Sequence, residues 1–131
     1  MHGLEVGNLK IAVESSTPGR LILHWTGSSN SPNECNSLRP FLALSLAEAS
    51  AKKAVLELHF ERLRHFNSST ISVILRFAEE AKAIAVKLVL CYDGSLRWQA
   101  HNFEAIAALE APGGLLEVRN VGSAKQPEKV G

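Results

Sequence analysis

Apolar positions recur along the chain in two spacings, every second residue and every third or fourth, and the switches between them mark the elements. Residues 9–13 (LKIAV) alternate apolar and polar, 21–25 (LILHW) do so in part, and the turn formers Ser15-Ser16-Thr17-Pro18-Gly19 lie between, the pattern of a β-hairpin. Residues 26–36 (TGSSNSPNECN) are polar and read as a loop. Leu38, Phe41, Leu42, Ser45, Leu46 and Ala49 then fall near helical spacing, with Asn36 or Ser37 as cap and Pro40 in the first turn. Val55–His59 reads as a buried strand. A second helix is expected over 69–85, with Ile71, Ile74, Leu75, Ala78 and Ala85 inward and Ser72, Arg76, Glu79 and Glu80 outward. Residues 86–91 (VKLVLC) suggest a strand inside a sheet, and Tyr92-Asp93-Gly94 turns the chain. Ser95 is placed to cap a third helix with Leu96, Ala100, Phe103, Ile106 and Ala107 on its apolar face. Ala111-Pro112-Gly113-Gly114 stops that helix, 115–118 make a last strand, and 119–131 are expected to fray.

Alternating helices and apolar strands imply an α/β fold, here about five strands in a mixed sheet with about three helices packed on it. With 131 residues the expectation is one domain, its core at about 8–118. A net charge of +1 offers no basic field and argues against nucleic-acid binding. No apolar run approaches the roughly 18 residues of a membrane span, and the start, MHGLEVGNLK, lacks the blocks of a signal peptide. Cys35 and Cys91 fit neither a metal spacing nor a disulfide framework, so a reducing cytoplasm is the expected setting.

Nucleotide and catalytic signatures are absent: no GxGxxG, Walker loop, GxSxG or HExxH occurs. His2, His24, His59, His65 and His101 are scattered, and no metal or cofactor is expected. His59 and His65 straddle the link before the serines, but no oriented third group completes a Ser–His pair. Attention therefore falls on Asn67-Ser68-Ser69-Thr70. Each of these residue types caps helices, yet a cap needs one of them and four stand in succession behind a buried strand. Two hydroxyls there would sit at the positive end of a helix dipole.

That junction resembles the STAS domain, the anti-anti-sigma factor fold. The family pattern D-S-S-G-L-G-V-L stands here as Asn67-Ser68-Ser69-Thr70-Ile71-Ser72-Val73-Ile74, and LELHFERLRHFNSSTISVIL is closer still to STAS-like biofilm and signalling regulators. The resemblance implies a non-enzymatic protein that works by partner switching. A partner kinase phosphorylates the hydroxyl after the Asp/Asn, here Ser68 with Ser69 the nearest alternative, and a phosphatase restores it. Unphosphorylated protein would bind an anti-sigma kinase or another regulatory target, and phosphorylation would release it. Asn67 replaces the usual Asp and Thr70 a Gly, which bears on how closely a kinase approaches. The candidate partner surface comprises Asn67, Ser69, Thr70, Val73, Phe77 and Trp98. Val73, Phe77 and Ile84 could instead pack on a neighbouring helix, and Trp98 could be core rim. Arg62, Arg64 and Arg76 are either solvated or hold an acidic partner or a phosphate. A homodimer is left open. The rival readings are a small-molecule or lipid-binding module on the same fold and, more distantly, an enzyme using His59 or His65 with Ser68.

Overall fold

The computed structural model describes residues 1–30, 32–110 and 114–122. Along the chain run β1 (Leu4–Val6), β2 (Leu9–Glu14), β3 (Arg20–Ser29), α1 (Pro32–Lys52), β4 (Val55–His59), β5 (Leu63–Phe66), α2 (Ser68–Ala83), β6 (Leu88–Tyr92), α3 (Arg97–Ala107) and β7 (Leu116–Asn120). All strands join one mixed sheet ordered β1-β2-β3-β4-β6-β7, with β5 also paired to β3. β1, β2 and β3 are antiparallel neighbours. β3–β4, β4–β6 and β6–β7 are parallel, joined through the helices.

Seven strands replace the expected five or so. The two additions, β1 and β5, are three and four residues long, too short to show a period. The opening hairpin stands as expected, but β3 runs on through 26–29, part of the expected loop. That extension bends at a bulge between Gly27 and Ser28, and Gly27 holds φ 84° with its Cα against the carbonyl of Asn8, where a Cβ would clash. α1 starts earlier than expected, at Pro32, so Pro40 lies inside the helix and not in its first turn. Its side chain faces solvent, and Leu38, Phe41, Leu42, Ser45, Leu46 and Ala49 face the core as their spacing implied. Arg119 and Asn120 belong to β7 and are not frayed. Of the expected stop at 111–114 only Gly114 is described, and 123–131 lie outside the described residues.

One alternating set of strand side chains builds the core. Leu9 and Ile11, Leu21, Leu23 and Trp25, Leu56 and Leu58, and Leu88, Leu90 and Tyr92 pack with the buried faces of all three helices. Burying a side chain of this size stabilises the fold by about 1.5–3 kcal/mol. The helices therefore share one face of the sheet. The opposite set, including Lys10, His24, Glu57, His59, Cys91 and Arg119, forms a second face on which no described helix packs.

Candidate functional site

The serine junction sits where β3 ends. β3 is long enough to pair with β4 and then, past the bulge, with β5, so β5 is laid down on residues 27–29. Asn67 N–H donates to the Ser29 carbonyl at 3.0 Å, which fixes the chain as it leaves β5. Gln99 of α3, fully buried, bridges the break between β4 and β5: its Nε2 donates to the carbonyls of Phe60 (2.7 Å) and Leu63 (3.0 Å). Its Oε1 accepts from Asp93 N–H at 2.8 Å. Trp98, beside it, is half-buried against the rings of Phe66 and His65. A strand end and a helix thus clamp the turn that carries the serines.

Within that turn the polar side chains divide their work. Asn67 is the N-cap, in extended conformation, and its Oδ1 accepts from Thr70 N–H at 3.0 Å. The Thr70 hydroxyl donates to the same oxygen at 3.1 Å and lies 2.7 Å from Ser29 Oγ. Thr70 has one hydroxyl proton, so Ser29 is the donor in that second bond. Thr70 and Ser29 are both fully buried. Ser69 is half-buried, whereas Ser68 is exposed, and among the described residues its hydroxyl makes no hydrogen bond. The cap is complete without it.

Several candidate positions move. Thr70, Val73 and Phe77 face inward, so they do not lie on an outer partner surface. The reason is that α2 packs on both the sheet and α1. Its buried arc is therefore wider and turned from the expected stripe: Thr70, Val73, Ile74, Phe77, Ala78 and Ala81 are inside, while Ile71 and Leu75 are half-buried. Ala85 is not on the stripe at all, since α2 ends at Ala83 and Ala85 is exposed at φ 60°. Ile84 is 49% exposed but caps the far end of α2. Ser95 does not cap α3. Its N–H and hydroxyl both bond Asp93 Oδ1, and Leu96 takes the cap position without a side-chain bond. Leu96 is exposed, and Gln99 takes an inward place on α3.

Several charged residues lie on the elements that flank the turn. Exposed Arg64 and His65 precede it on β5, and Arg97 stands beside Trp98 at the start of α3. Arg39, Arg76 and Glu80 share the α1–α2 groove with Ser72, whose hydroxyl donates to the Ser68 carbonyl at 3.2 Å.

The face that no described helix covers holds a second cluster, which strand pairing extends from β4 to Arg20 and Cys91. Arg20 grips Glu57 with two bonds of 2.7 and 2.8 Å, and Glu57 Oε1 lies 2.9 Å from His59 Nε2. His59 Nδ1 lies 3.1 Å from Glu61. The guanidinium of Arg20 holds the Glu57 carboxyl below its usual range despite burial. The Cys91 sulfur beside it, then Glu61 and Glu57, push the His59 imidazole up to about 11 against the opposing effect of burial. The available signal was the two-residue period of Glu57 and His59 inside an apolar strand. Among the described residues neither His59 nor His65 hydrogen-bonds Ser68, so no nucleophile–base pair forms.

The sheet order and one-sided helices define the STAS fold of anti-sigma factor antagonists. The chain is similar to the anti-sigma factor antagonist SpoIIAA in its unphosphorylated form, with 16% identity and a TM-score of 0.59, over 92% of this chain and 96% of that one. It is equally similar in shape to the Bacillus cell fate determinant SpoIIAA in its phosphorylated form, with 15% identity and a TM-score of 0.59, over 90% and 98%. No protein-family model matches the sequence, and no curated protein does. No described helix is long and apolar enough to cross a membrane.

Proposed function

We propose that this chain is a phospho-regulated partner-switching protein of the cytoplasm, with no catalytic role of its own, and that Ser68 is its phosphoacceptor. The observation that carries the reading is the division of labour in the turn. Asn67 and Thr70 are committed to the fold, while Ser68 is exposed with an uncommitted hydroxyl. Supporting it, SpoIIAA, of the same fold, has been solved in unphosphorylated and phosphorylated forms.

A partner kinase would join Ser68 Oγ to the γ-phosphorus of ATP, with ADP leaving and the hydroxyl proton passing to a base or solvent. A phosphatase would return the serine by hydrolysis. The product carries about −1.5 to −2 charges at the start of α2, where free N–H groups and the helix dipole favour an anion. The fold therefore survives. The surface does not stay the same, because the new charge opposes exposed Arg64, two residues before β5 ends. A target with an acidic face would be attracted before modification and held less strongly after it. Thr70, in place of the pattern's glycine, does not obstruct a kinase, since its side chain points into the protein.

Incubation with ATP and the cognate kinase, followed by mass spectrometry of the 67–76 peptide, is expected to place phosphate on Ser68. An unmodified peptide with active kinase overturns the assignment. Ser68→Asp is expected to keep its fold by circular dichroism and to lose its target. Loss of both would reduce Ser68 to a structural residue. Unmodified complex should also weaken as salt rises, as an acidic target requires.

A further inference from the structure

We propose that Glu57, His59 and Cys91 form a zinc-type divalent-cation site on the sheet face that no described helix covers. His59 and Cys91 stand directly opposite each other on β4 and β6, and Glu57 lies two residues back on the same face. One donor atom from each lies within 4.8 Å of the other two. Glu61 holds His59 Nδ1 and leaves Nε2 directed at Glu57. A carboxylate on the far nitrogen is the arrangement that orients an imidazole ligand in zinc centres.

Charge and donor chemistry agree with a dication. Glu57, Glu61 and the Cys91 thiolate supply three negative charges and Arg20 one positive, so a doubly charged ion makes the group neutral. Among the described residues Glu61 Oε1 is buried without a hydrogen-bond partner, on the Nδ1 side of the ring, away from the ion. Mixed S, N and O ligands suit borderline-soft Zn²⁺ and leave its fourth position open. Cys91 and Glu57 are buried and His59 is partly exposed, so the ion enters past the imidazole. On binding, the ion takes the place of the proton between Nε2 and Glu57. That proton and the Cys91 thiol proton pass to solvent.

This site is independent of Ser68 and is tested separately. The full chain, freed of metal by chelation, is titrated with Co²⁺ and then Zn²⁺. One equivalent of Co²⁺ should give tetrahedral d–d bands and a thiolate-to-cobalt charge-transfer band, both removed by Zn²⁺. Cys91→Ser should lose the charge-transfer band and Cys35→Ser should retain it. Glu61→Gln, which keeps all three ligands, should retain the band while weakening affinity by about 10- to 100-fold. Absence of the band in the wild type, or its persistence in Cys91→Ser, overturns the proposal; so does unchanged affinity in Glu61→Gln. In those cases the cluster is an ion-pair ladder only.

Discussion

Replacing Asn67 with alanine separates capping from signalling more sharply than any change at Ser68. Asn67 Oδ1 accepts two bonds, from the Thr70 amide at 3.0 Å and the Thr70 hydroxyl at 3.1 Å. Losing a side-chain cap costs about 0.5–2 kcal/mol. The Thr70 hydroxyl is buried, and without Asn67 it must turn its proton toward Ser29 Oγ, which then has its own proton stranded. A buried polar group left without a partner costs roughly 1–3 kcal/mol. One oxygen serves both roles, so the terms overlap and the expected loss for Asn67→Ala is about 2–3 kcal/mol. Asn67→Asp presents the same oxygens with a negative charge at the helix start, and should match the wild type or exceed it by about 0.3–1 kcal/mol. Ser68→Ala removes a hydroxyl that bonds nothing among the described residues, and should stay within about 0.5 kcal/mol. Urea unfolding followed by circular dichroism, with equal m-values across the set, measures all three. If Asn67→Ala were as stable as the wild type, or if Ser68→Ala were the more damaging, the assignment of roles within the turn would be wrong.

Phe77→Ala should cost about 3–5 kcal/mol in the same experiment, because Phe77 is 1% exposed in the core; a nearly silent variant would return it to the surface. Gln99→Leu strips partners from the Phe60 and Leu63 carbonyls and the Asp93 amide, and should lower stability by about 2–4 kcal/mol, with backbone NMR shifts that reach 60–63 and 93. Tyr92 is the sole tyrosine, and burial, followed by the charges of Glu104 and Glu110, holds its phenol above the ordinary 10.0. The folded protein therefore favours neutral Tyr92. The stabilisation is intact below pH 10 and is lost as pH climbs through the folded value. Ultraviolet absorbance should show phenolate forming at higher pH in the native protein than in urea; equal titrations would place Tyr92 in water.

How far the sequence disclosed this molecule depended on element length and on how many neighbours each element faces. The hairpin, the helices and the central strands were legible because each buries one regular stripe, as α1 does with Leu38, Leu42 and Leu46. Strand β5 was not, because its burial pattern has only its two end residues inside and its conformation is imposed by β3. The burial of Val73 and Phe77 was legible as the alternative of packing on a neighbouring helix, and a helix wedged between a sheet and another helix buries more than a single stripe. Of the junction, the cap at Asn67 was legible and the partner of Thr70 was not: Ser29 lies 41 residues earlier, in a stretch that read as loop. The cluster at Glu57, His59 and Cys91 depends on strand pairing, which residue spacing does not encode.

The length of β3 carries a last implication. Its first half templates β4 and its last three residues template the segment that delivers Ser68, so one ribbon acts as a ruler for both. Trimming a residue near the bulge would leave the hairpin and central strands in register, yet would pull the acceptor serine one step along its rail and reverse which side chains face inward there. Designers wishing to relocate the hydroxyl would therefore edit β3 rather than the helix start on which it sits.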